Sequence, residues 1–160
     1  MINYTGQYMD SLRSNWVLYA STDIEFLKGF LLSGCRHLAT VSPTKEFSSL
    51  TAQYKLQHLR DLQKAISERS VESSRAAVAK ALVLASDDVA IRDMGMAASH
   101  LTGAINIIKA AGGPEALSLS NLVKCILFSC VYGKRLLDWD PSQPSRDVPL
   151  GFGIEDIKSF

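Results

Sequence analysis

Apolar residues return at three- and four-residue intervals along most of this chain, while strand-like alternation is nearly absent. The spacing of Tyr8, Leu12, Trp16 and Tyr19 predicts a helix over about 4–20. Ser21-Thr22-Asp23 then offers short oxygen side chains that can accept the free amides of a new first turn. The second helix is expected to continue to about Val41, with Phe26, Phe30, Leu31 and Leu38 inward. Ser42-Pro43 supplies a cap and a proline at the first helical position. The third helix it opens carries Phe47, Leu50, Tyr54, Leu62 and Ile66 to about Arg69. Ser70 caps a fourth over 71–86, whose run Ala76 to Ala85 is apolar nearly all round; that places it in the middle of the packing. Ser86-Asp87-Asp88 reads as its break and as the cap of a fifth helix. In that helix Ile91, Met94, Ala98, Leu101, Ile105 and Ile108 form one stripe. Ser99 and Gly103 form a second, small-residue strip where another helix could approach closely.

Gly112 supplies a left-handed helix stop and Pro114 starts the next turn. A sixth helix is expected over about 119–137, with Leu122, Ile126 and Cys130 facing in. From Asp140 the chain becomes linker-like, rich in proline and serine. The pattern therefore predicts an all-α domain over 1–139, about six helices in an irregular bundle or helix-pair stack, followed by a tail over 140–160.

Composition narrows the function more than it defines it. At 160 residues the chain can bury a proper core, and its 47% hydrophobic content is high for a soluble protein. Such a surplus favours a surface covered by a partner, a ligand or missing sequence. The formal charge is +1, and basic residues are interleaved with acids, as in Lys55-Leu-Gln-His-Leu-Arg60-Asp61. Direct nucleic-acid binding would call for a basic stripe instead. The three cysteines, Cys35, Cys125 and Cys130, are an odd count in apolar surroundings, which points to buried thiols in a reducing, intracellular setting. No paired Cys-x-x-Cys suggests a metal site, no cofactor motif is present, and no segment has the form of a secretory signal or a membrane span.

Candidate chemistry is sparse. His37 lies near a helix end and His58 in a charged face, while His100 lies beside the apolar stripe. If the chain were an enzyme, His100 with Arg92 or Asp93 would be its acid–base group. Asp93 and His100 share a helix face but stand about 10 Å apart along the axis, too far to touch. No serine sits in a Gly-x-Ser-x-Gly elbow, and Gly112-Gly113-Pro114 lacks the lysine of a phosphate loop. The sequence thus offers no active site of its own, and an enzyme is not the expected reading. Trp16 and Phe30 with Leu101 are candidate lining for an apolar-ligand pocket between helices.

The stretch His100-Leu101-x-Gly103-Ala104, followed by Ile107-Ile108-x-x-Ala111-Gly112-Gly113 and Leu117, resembles a motif of the fungal-specific transcription factor domain. That is the regulatory region found C-terminal to Zn₂Cys₆ DNA-binding domains. The segment from Asn15-Trp16 to Leu38 looks like the family's opening helix pair, and the resemblance covers about residues 5–137. It implies a nuclear, all-helical regulatory domain that self-associates as a homodimer or joins a partner helical protein, with an apolar small molecule as the ligand some members sense. His100, Leu101, Gly103, Ala104, Gly112 and Gly113 are carried over as structural motif positions, none of them catalytic. Three scattered cysteines cannot make the six-cysteine zinc cluster, and the likeness is to the N-terminal part of a longer domain. The rival expectations are a binding protein for a small hydrophobic ligand and an isomerase- or cyclase-type enzyme built on the same helical pocket.

Overall fold

The computed structural model describes residues 24–120 together with 123, 124, 126 and 127. Four helices make up the described part, and no strand occurs among the described residues: α1 (Ile24–Val41), α2 (Lys45–Glu68), α3 (Val71–Ala90) and α4 (Met94–Ala110). The first predicted helix lies outside the described residues. Of the sixth, Val123, Lys124, Ile126 and Leu127 have helical backbone, and the Ser120 hydroxyl accepts from the Val123 amide. The boundary at residue 139 also lies outside them.

Connections of two or three residues force successive helices to pack as neighbours. α3 touches all three others, as its all-round apolarity predicts. Its Ala77, Val78, Ala81, Leu82 and Leu84 meet Leu62 of α2 and Leu101, Ala104 and Ile108 of α4 in one core. Leu117, Leu119, Val123 and Ile126 close that core at its end. The turn carrying Leu117 is held by Arg75, whose Nε donates to the Leu117 carbonyl at 2.8 Å.

The helix ends differ in part from expectation. Ser70 and Ser73 form a reciprocal capping box at the start of α3, as Ser70 predicts. α2 is capped by Thr44, whose hydroxyl accepts from the Phe47 amide, and not by Ser42. α3 does not break at Ser86 but continues to Ala90, and Asp93 caps α4 by accepting from the Met96 amide at 3.1 Å. Between them Arg92 takes a left-handed φ of 61°, its amide bonded to the Val89 carbonyl and that of Asp93 to the Asp88 carbonyl. Those are the two bonds of a Schellman stop, made here without glycine. The same pair of bonds closes α4, with Gly112 at φ 92° as the sequence predicts.

Two predicted faces are rotated. On α1 Gly29 and Leu32 are buried, whereas Phe30, Leu31 and Leu38 are exposed. On α4 the inward face is Ala97, Leu101, Ala104, Ile105 and Ile108, with Ile91 and Met94 outside it. Among the described residues a close helix approach lies at Gly29. A methyl group on Gly29 would stand 2.9 Å from Val83 Cγ2, so α1 and α3 meet there, while one on Gly103 would meet nothing within 4 Å.

Candidate functional site

The last turn of α3 places two adjacent carboxylates, Asp87 and Asp88, inside the packing, each with a side chain only 1% exposed. Acids are disfavoured at a helix C-terminus because they face the negative end of its dipole. Burial adds to that cost unless cations are supplied. Three other helices supply partners, two of them cations. Arg36 of α1 grips Asp87 with two parallel bonds, Nε and a terminal nitrogen each 2.8 Å from a carboxylate oxygen. Lys55 of α2 bridges the pair, 3.1 Å from Asp87 and bonded also to Asp88. His100 of α4 sets Nδ1 2.8 Å from the second oxygen of Asp88.

The centre is balanced: Arg36 and Lys55 offset Asp87 and Asp88, with His100 as a further polar partner. Burial pushes the Asp87 carboxyl up, but the bonds from Arg36 and Lys55 outweigh it and hold the group below the usual carboxylate range. The bond to Asp87 raises the Arg36 guanidinium. Burial would lower the Lys55 ammonium, yet its bonds to Asp88 and Asp87 raise it. An Asp87 carboxylate so held is a poor base. The arrangement clamps α1, α2, α3 and α4 at one point, which is the work of a structural clasp.

The predicted residues distribute around this centre unevenly. His100 belongs to it, but its partner is Asp88; Asp93 is committed to the α4 cap and Arg92 to the preceding left-handed turn. Leu101 is fully buried in the core, Phe30 is 37% exposed on α1, and Trp16 lies outside the described residues. Gly103 and Ala104 lie on α4, while Gly112 and Gly113 close it. His58, expected in a charged face, is instead 1% exposed and in line with Thr51 and Leu62 along the buried stripe of α2. No group of three or more potential metal ligands occurs among the described residues.

A second polar locus is a groove of about 340 Å³ where α1, α2 and α3 meet, lined by Lys28, Asp61, Lys64, Glu68, Ser73 and Lys80 with Ala65 and Ala76. Asp61 accepts from Gln57 at 2.8 Å and lies 3.4 Å from Lys28. Burial raises the Asp61 carboxyl, but the Gln57 bond and the charges of Lys28 and Lys80 prevail and lower it. The groove is polar, and neither Phe30 nor Leu101 lines it.

Sequence reasoning missed Asp87, Asp88, Arg36 and Lys55 as one unit. The available signal was the acid pair itself, set at the wrong end of an apolar helix for its dipole. With this geometry in hand, comparison with known proteins gives one result. The profile of the fungal specific transcription factor domain matches residues 10–134, most of the chain. No curated protein and no solved structure matches.

Proposed function

This chain belongs to the family of fungal-specific transcription factor domains, and on that premise we propose that it is a nuclear regulatory domain working through protein interaction. The family match over residues 10–134 carries the reading. In this proposal the clasp of Arg36, Lys55, Asp87, Asp88 and His100 sets the relative positions of four helices, and a partner or an apolar ligand biases one helix arrangement over another. Self-association uses the outer face of α4, where Ser99 is exposed and space beyond Gly103 is open to an approaching helix.

The test is to tether the chain to an unrelated DNA-binding module in a fungal host and read a reporter. A change in output that is altered by Asp88→Asn supports the proposal. A folded, nuclear fusion that leaves the reporter unmoved overturns it. Sedimentation addresses self-association separately: a clean monomer at high micromolar concentration removes that part and leaves the regulatory reading standing.

A further inference from the structure

Ser42-Pro43 reads in the sequence as the start of α2, yet Thr44 makes the cap and Ser42 is left outside it. The pair is also the one place in the chain where serine or threonine precedes proline. The other prolines follow Gly113, Asp140, Gln143 and Val148. Three residues past Ser42 stands Lys45. The link that holds them is open to access. Ser42, Pro43, Thr44 and Lys45 are all exposed, and Val41 leading into them is 60% exposed. Proline pushes the residue before it towards extended backbone, and Thr44 is itself extended at φ −125° and ψ 154°. The Ser42 amide closes the last turn of α1 on the Leu38 carbonyl at 2.8 Å. Its hydroxyl makes no hydrogen bond among the described residues.

We propose that Ser42 is a phosphorylation site for a proline-directed protein kinase. The inference does not rest on the regulatory reading. Such an enzyme takes its substrate as a short extended segment. Beside the acceptor it seats a ring whose nitrogen has no hydrogen to satisfy, and further on it offers acidic groups to a cation. Ser42, Pro43 and Lys45 supply acceptor, ring and cation in that order. In the transfer, Ser42 Oγ bonds to the γ-phosphorus of ATP as the bond from that phosphorus to the ADP oxygen breaks. ADP leaves, and the hydroxyl proton passes to the catalytic aspartate of the kinase. Other hydroxyls are worse placed. Thr40, Thr51, Ser67 and Ser99 lie inside helices and donate to the carbonyl four residues back. Ser118 is exposed outside a helix, but it is held at φ 49° and followed by Leu119. A phosphate on Ser42 stands just past the end of α1 and just before the start of α2, where the two helix dipoles act on it in opposite senses. It therefore leaves the fold standing and marks the surface. The group adds up to about two negative charges beside exposed Leu38 and Val41.

The test treats the full folded chain with a cyclin-dependent, proline-directed kinase and magnesium ATP, followed by intact mass and by fragmentation to place the phosphate. One phosphate is expected, at Ser42, and none in Ser42→Ala. Pro43→Ala should slow incorporation at least about tenfold and Lys45→Ala several-fold. A synthetic peptide of residues 36–48 gauges access: the folded chain should react within about tenfold of it, because local opening costs little in an exposed link. Recovered from a fungal host, the chain should carry the same phosphate, removable by a phosphatase. A phosphate placed elsewhere, indifference to Pro43→Ala or Lys45→Ala, a folded chain slower than that margin, or an unmodified Ser42 in the host would each overturn the inference.

Discussion

Asp87 shows how a residue that opposes its local environment can be held by distant ones. Its helix end and its burial both disfavour the charge, and the two bonds from Arg36 with the bridge from Lys55 reverse the balance. Removing one member of such a buried pair leaves the others uncompensated, so Asp87→Asn should cost about 3 kcal/mol in urea unfolding. Because the folded carboxyl titrates below its unfolded value, its contribution is fully present above the ordinary carboxylate range. It is lost as pH falls through the depressed folded value. An acid titration of stability should therefore slope less steeply in Asp87→Asn than in the parent. Arg92 is a different kind of misfit. A non-glycine residue at φ 61° is disfavoured by about 1 kcal/mol, so Arg92→Gly should raise the melting temperature by about 2–4 °C. At Gly112 the reverse holds, and Gly112→Ala should lower it by a similar amount.

Helices in this protein were legible in the sequence to the extent that their signals are local. Ser70 and Gly112 mark true ends because capping boxes and left-handed stops are built from neighbouring residues. Ser86-Asp87-Asp88 misled because side chains that look like caps are engaged 33 and 51 residues away, by Lys55 and Arg36. The same limit explains the glycines: Gly103 and Gly29 look alike in sequence, but only Gly29 has a neighbouring helix against it. Gly29→Ala should destabilise by about 1–3 kcal/mol, and pairing it with Val83→Ala should recover part of that loss in a double-mutant cycle. Gly103→Ala should instead stabilise by about 1 kcal/mol, the ordinary helix-propensity gain. Differential scanning calorimetry of the four variants separates these outcomes.

At the scale of the whole molecule, α3 is the element every other described helix touches, and its apolar length made that central position readable in advance. What periodicity could not reveal was that the inner helix is also the most charged where it ends. Its two halves thus serve different purposes: Val78 to Leu84 supplies dispersion and hydrophobic contact, and Asp87-Asp88 fixes orientation through directional bonds. Leu84→Ala should lower stability by about 3 kcal/mol while leaving the acid dependence intact. Asp87→Asn should change both. Parallel urea titrations across pH would show whether the two halves are separable.

The joint between α3 and α4 carries one more implication, for how such a protein can change its length. Arg92 and Asp93 complete the stop of one helix, and Asp93 simultaneously starts the next, so no residue there is spare. A residue spliced in or deleted at 91–93 would strip the end of α3 and the start of α4 at once, and would carry Asp88 out of reach of His100. The exposed link at 42–44 has more slack: the Ser42 amide bonds the Leu38 carbonyl and Thr44 caps α2, but no one residue serves both helices. Insertions, fused tags and circular openings should be tolerated at Ser42-Pro43 and rejected at Arg92, so α3 and α4 would be inherited and engineered as a single indivisible segment.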